Sequence, residues 1–239
     1  MLDEHETLPP PPSEAEIVRL TASRRTIARR LTEAWEAPVF QLGRSADLTA
    51  LLAIRAHLVA DLDDEDVKPT VGDILTRLVG AALRRHPSVN ATFDGSTIER
   101  RRRADIGIAV AAPSGLVVPV IRNVERSTIQ EIARRRTDLV SRARDRKLTS
   151  EDMQNGSFTI SNLGMFGVEQ FVAVLNPPQV AILAVGAVKD TPVVIDGALG
   201  VQPRMQMTLT CDHRAIDGAN GAQFLSALVA LVEQPALAL

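Results

Sequence analysis

The chain has 239 residues, enough for one large domain or two small ones with an ample apolar core. Hydrophobic residues make up 45% and charged residues 23%, and the net charge of -2 gives no electrostatic reason to expect nucleic acid as a partner. One cysteine excludes an internal disulfide and fits a reducing, cytoplasmic setting, while tyrosine-based chemistry is barred because tyrosine is absent.

Four histidines and that cysteine show no zinc-type spacing, so no metal is expected. No apolar run reaches the roughly 20 residues that span a bilayer, so no membrane is expected either. The N-terminus is acidic and polar, unlike a signal peptide.

Met1 to about Glu14 is acidic and then proline-rich, with four prolines in succession from Pro9 to Pro12. This composition reads as a linker or extended arm, tethered to something upstream in a longer parent. One domain is expected over residues 15–239. Helical periodicity runs from Ser13 to about Trp35, with Ile27, Leu31 and Ala34 on one face, and Pro38 ends it. Val39 to Ser45 alternates as a strand, and Asp47 can cap a helix over Leu48–Leu62. A strongly apolar helix is predicted from Thr70 to Arg85, stopped by His86-Pro87. His86 then sits at the helix C-terminus, interacting with the dipole rather than acting as a catalyst.

Phe93-Asp-Gly-Ser reads as a hairpin turn. The basic run Arg100–Arg103 reads as a solvated face. Strands are expected over Ile106–Ala111 and Leu116–Ile121, then an amphipathic helix over Thr128–Arg146. Ser157–Asn162 is a strand running into the glycine-bearing loop Leu163–Gly167. Val172–Leu175 is extended, Asn176-Pro-Pro turns, and Val180–Gly186 is a buried strand. Val193–Val201 is a hairpin, Gln206–Thr210 continues it, and a helix from about Ala219 to Glu233 closes the domain. Strands alternating with long helices predict a single α/β domain, with a mixed sheet covered by helices.

The segment Thr208–Gly221 carries the chemistry. Alternating Met207, Leu209 and Cys211 lead in, and a helical pattern leads out, so His213 and Asp217 stand at a strand-to-helix junction. Histidine can act as a general base near neutral pH. Alone, His213 reads sooner as a buried structural residue, and Asp217-Gly218 as a turn. Cys211 is a conceivable nucleophile, but a lone cysteine in an apolar strand reads as core.

Several blocks together carry a resemblance. Asp212-His-Arg-Ala-Ile-Asp-Gly-Ala resembles the His-Arg-x-x-Asp-Gly signature of dihydrolipoamide acyltransferases, the catalytic cores of 2-oxo acid dehydrogenase complexes. Phe158-Thr-Ile-Ser-Asn-Leu-Gly-Met-Phe-Gly, with Asn176-Pro-Pro-Gln-Val-Ala-Ile-Leu after it, is similar to a second signature. Leu116-Val-Val-Pro-Val-Ile, His86-Pro87 with Asn90-Ala91, and Lys147-Leu-Thr before Met153 also fit. The similarity covers roughly Ala22 to Pro235.

The resemblance implies a chloramphenicol-acetyltransferase-like fold and a homotrimer, with His213 of one subunit facing Ser161 of the next. It implies assembly into cubic or dodecahedral cores, and 2-oxo acid dehydrogenase and dihydrolipoamide dehydrogenase as partners. Coenzyme A and a lipoyl group, the latter on a separate or missing domain, are the implied substrates. By motif position His213 is the base that makes the thiolate, Ser161 the hydroxyl aimed at the oxyanion, and Asp217 the residue that holds the loop through a paired arginine. Arg214 is read as structural, and Asn162 and Gly164 as shaping the substrate channel. The block after Ser161 is most like the pyruvate or acetoin dehydrogenase type, which favours acetyl over branched-chain acyl or succinyl groups. Two departures stand out: no lipoyl or subunit-binding domain lies in the chain, and Val39 stands where members often carry histidine. Two other functions are open at this point. One is a trimeric scaffold without transfer activity; the other is an acetyltransferase acting on a hydroxyl or amine.

Overall fold

The structure is a computed structural model and describes residues 17–63, 65–113 and 115–238. The expected N-terminal arm, 1–14, lies outside the described residues.

Helix α1 spans Ala22–Trp35 and starts nine residues later than the periodicity predicts, because Thr21 supplies the cap: its hydroxyl accepts the Arg24 N–H at 3.2 Å. Strand β1 follows at Val39–Asp47 and helix α2 at Thr49–Ala60. Asp47 does act at the start of α2, its Oδ1 accepting the Thr49 N–H at 2.9 Å from one position outside the cap. Helix α3, Val71–Arg85, opens with a reciprocal capping box between Thr70 and Asp73. His86 closes α3 with its ring edge-on to Phe224, and burial together with Arg85 lowers its pKa. It stands at the helix C-terminus, as expected, and packs there against Phe224.

The hairpin β2 (Ala91–Phe93) and β3 (Ile98–Arg100) forms as predicted around Gly95, where φ is +100°. The two strands expected next are each broken. The first becomes β4 (Ile106–Ile108) and β5 (Val110–Ala112); the second becomes β6 (Gly115–Val117) and β7 (Val120–Ile121). Pro119 explains the break, since it has no N–H to donate; only its carbonyl joins the ladder, accepting the Ile108 N–H at 2.9 Å. The β5–β6 hairpin peels away as a separate pair.

Helix α4, Ile129–Arg144, and the short α5, Ser150–Met153, each begin with a capping box, Thr128 with Glu131 and Thr149 with Asp152. Strand β8 is Phe158–Asn162. The pieces expected between Val180 and Thr210 are one long hairpin, β9 (Ala181–Ile195) and β10 (Ala198–Asp212). Asp196 and Gly197 turn it, both at positive φ. Helix α6, Gly218–Glu233, completes the chain's regular structure.

Six strands form a mixed sheet in the order β1-β10-β9-β8-β4-β7. Strands β4, β8 and β9 run parallel, and the outer pairs are antiparallel. Alternation sorts the two faces. Leu183 and Val185 of β9, Leu209 and Cys211 of β10, and Phe158 of β8 join the main core beneath α3 and α6. Ile182 and Ala184 point the other way and meet only a small cluster with Ala37, Ala173 and Leu175. One face is thus covered by helices, and the other by the extended segment 171–175. That second face carries Ser161.

Candidate active site

Strand β10 delivers the first half of the site. Cys211 is fully buried, and desolvation pushes its thiol up to about 12. A thiol held protonated is a poor nucleophile at neutral pH; Cys211 is a core residue.

Beyond Asp212 the chain turns through 213–217 before entering α6. The turn is held at both ends. The His213 N–H donates to the Pro38 carbonyl at 2.9 Å, and the Ile216 N–H donates to that of Asp212 at 3.0 Å. The buried Asp212 carboxylate takes a two-point grip from Arg214, Nε at 2.9 Å and Nη2 at 2.7 Å, and also accepts the Arg214 backbone N–H at 3.0 Å. The hydrogen bond to Asp212 raises the Arg214 pKa. The same guanidinium lies 5.1 Å from the centroid of Phe93. Arg214 clasps the loop, the structural role expected of it.

His213 is exposed in the isolated subunit. Its ring leans on Phe40, with centroids 4.6 Å apart and planes tilted by 54°. Asp217 occupies the N-cap position of α6, yet its carboxylate makes no capping bond. Among the described residues no arginine pairs with Asp217: Arg214 pairs with Asp212 instead.

Strand β8 delivers the second half. Ser161 lies opposite Ala184 of β9, half-buried, with its side chain on the helix-free face. The Asn162 Oδ1 accepts the Gly164 N–H at 2.8 Å and starts a 3-10 turn over Gly164–Phe166. A Cβ on Gly164 would stand 2.6 Å from the Gly186 carbonyl oxygen, and a Cβ on Gly186 would overlap the carbonyl oxygen of Glu169. Both glycines are required by close backbone approach. The loop pressed onto β9 in this way presents Met165 and Phe166, which are 77% and 68% exposed. Asn162 and Gly164 act on the shape of this loop.

The sheet register separates the two halves. Ser161 is level with Ala184 and, through it, with Thr208. His213 lies five residues beyond Thr208, about 17 Å along the strand, and two strands across, about 10 Å. Within one subunit they do not meet. Phe40 and Pro38, which position His213, were not found by sequence reading. Alternation identifies β1 as a strand, but the pairing of Val39 with Asp212 comes from non-local register. Among the described residues, no group of three or more histidine, cysteine or acidic side chains could hold a metal ion.

A mixed sheet covered on one face by helices is also the architecture of the chloramphenicol acetyltransferase fold. A solved chloramphenicol acetyltransferase superposes with a TM-score of 0.54 at 11% identity, over 92% of this chain and 98% of that one. More specifically, the family model for 2-oxoacid dehydrogenases acyltransferase (catalytic domain) matches residues 12–239, and the chain belongs to that family.

The dihydrolipoyllysine-residue acetyltransferase component of the pyruvate dehydrogenase complex of Rhizobium meliloti (strain 1021) is 38% identical over 229 residues, 94% of this chain and 51% of that protein. The chain thus spans about half the length of the curated relatives it matches. The dihydrolipoamide acetyltransferase of Azotobacter vinelandii is 34% identical with a TM-score of 0.89, over 96% of this chain and 99% of that one. In that enzyme a serine, a histidine and an asparagine were investigated for roles in the catalytic mechanism. Their sequence separations are those of Ser161, His213 and Asp217. A cubic core of a pyruvate dehydrogenase multienzyme complex gives the same identity, TM-score and coverage.

Proposed function

We propose that residues 15–239 form an acyltransferase catalytic domain that moves an acyl group, acetyl by preference, between dihydrolipoamide and coenzyme A. The catalytic unit is a trimer in which His213 of one subunit meets Ser161 of the next. The observation that carries this reading is the separation of the two residues within one subunit. Each is otherwise presented as a site residue would be, His213 exposed on a clasped loop and Ser161 on the sheet face without helices.

The chemistry follows from these groups. A free thiol titrates near about 8.5 and is mostly protonated at neutral pH. One His213 ring nitrogen takes the thiol proton as the sulfur attacks the thioester carbonyl. The new C–S bond places a negative charge on the carbonyl oxygen, and the Ser161 hydroxyl donates a hydrogen bond to it. The oxyanion collapses, the original C–S bond breaks, and His213 returns the proton to the departing thiolate. No acyl-cysteine is needed, in keeping with the buried Cys211. Asp217 stands where the Azotobacter enzyme has asparagine, so its role is to orient the His213 loop, which an uncharged amide can also do.

The lipoyl group is carried on a separate segment or chain. Likeness to the cubic core supports assembly of trimers into such a core, with 2-oxo acid dehydrogenase and dihydrolipoamide dehydrogenase as partners. Among the described residues no helix is long and apolar enough to cross a membrane. The cytoplasmic setting is inferred from the cysteine content alone.

The test is transfer from acetyl-CoA to free dihydrolipoamide, scored by thiol release. His213→Ala and Ser161→Ala should each lose nearly all activity as homotrimers. Mixed trimers made by co-expression should recover about a quarter of the parent rate, since one in four interfaces then carries both intact residues. No recovery, with both chains folded and mixed, would place the site within one subunit. Full activity in His213→Ala would remove the assignment altogether.

A further inference from the structure

The helical layer holds a second cleft, which contains none of the acyl-transfer residues. It encloses about 330 Å3 and is lined by Arg77, Ala81, Arg84, Arg85, Glu125 and Ala238. Arg77, Arg84 and Arg85 lie seven and eight residues apart on α3, which puts them on one face of the helix. Three guanidinium groups thus face one carboxylate.

That carboxylate is already engaged. Glu125 is almost fully buried; its Oε2 accepts the Ala104 N–H at 3.0 Å, and its Oε1 lies 3.9 Å from Nε of Arg126. Arg77 is left over. Its Nη1 is buried with no hydrogen-bond partner, and it forms no ion pair among the described residues. A guanidinium stays charged in a protein, and burying one of its nitrogens without a hydrogen-bond partner is costly. Burial accordingly lowers the Arg77 pKa, with the charge of Glu125 opposing.

We propose that this cleft binds a small anion of the phosphoryl class, with Arg77 gripping it from within and Arg84 and Arg85 closing over it at the mouth. The guanidinium fork matches the oxygens of a phosphoryl group and can hold two of them at once. The volume exceeds that of inorganic phosphate and lies within the range of small-molecule pockets, so the phosphoryl group of a larger metabolite fits. The site is independent of acyl transfer.

The test is equilibrium dialysis of the assembled protein against labelled orthophosphate at constant ionic strength. The parent should bind about one phosphate per subunit, saturably, and saturating coenzyme A should leave that binding in place. Arg77→Met and Arg84→Gln should each weaken it at least tenfold. Both variants should keep the parent's transfer rate, which shows that they are folded. Absence of saturable binding, retention of binding in Arg77→Met, or displacement by coenzyme A each overturns the proposal; the last would make the cleft part of the acyl-donor site.

Discussion

The ring of Phe40 stands 4.6 Å from the ring of His213. Its neighbours on β1 alternate between core and solvent, and the ring itself packs against the main core. Phe40 therefore links the histidine to the rigid part of the molecule. In Phe40→Leu the core stays filled but the flat support is gone. The rate constant kcat for acyl transfer should fall about tenfold with KM nearly unchanged, because a misplaced base costs rate and not substrate binding. Steady-state kinetics at saturating acetyl-CoA measures the split.

Ser161→Ala removes one hydroxyl from a half-buried strand position and leaves no cavity of consequence. Loss of a single oxyanion donor should lower kcat by about a hundredfold, with the melting temperature unchanged. A loss within twofold would take Ser161 out of the mechanism.

The thiol of Cys211 should resist iodoacetamide in the folded protein at pH 8 and react fully in denaturant. Burial raises its pKa from 9.0 to about 12. The stabilisation tied to this proton is fully present below pH 9 and is lost as pH rises towards 12, since the unfolded chain gives up the proton first. Melting temperatures across that window should decline less steeply in Cys211→Ala, while that variant keeps most of the acyl-transfer rate.

Gly164→Ala would drive a methyl group to 2.6 Å from the Gly186 carbonyl. The loop carrying Met165 and Phe166 must then lift off β9. More than tenfold loss of activity is expected, accompanied by a modest fall in melting temperature. Thermal melts and transfer assays on one preparation would separate the two effects.

Arg136 holds the buried carboxylate of Asp73 with its Nε at 2.7 Å. Arg136→Met leaves that carboxylate with only its helix-capping bonds. Destabilisation of about 2 kcal/mol is expected, less than for a fully buried pair because Arg136 is part-exposed, and Tm should fall by about 4–8 °C.

Local rules made much of this protein legible. The apolar stripe of α3, the alternation Met207-Leu209-Cys211, and the turn at Asp196-Gly197 each depend on residues close in sequence. So do the capping pairs that start α3 and α4. The motif around His213 could be placed at a strand-to-helix junction for the same reason.

What the sequence by itself determined, then, is the kind of element at each place and the residues able to do chemistry. Only the tertiary structure decided how those elements meet. Pro119 cuts two predicted strands short because a ladder N–H is missing, and Pro38 and Phe40 reach His213 because β1 pairs with the far end of β10. Arg77 forms no ion pair among the described residues, and the Glu125 carboxylate beside it is engaged by Ala104. Above all, register sets Ser161 and His213 far apart in one subunit. Periodicity tells which face a side chain takes, but the partner strand and its register follow from burying both faces of a sheet at once, and that is settled by contacts remote in sequence.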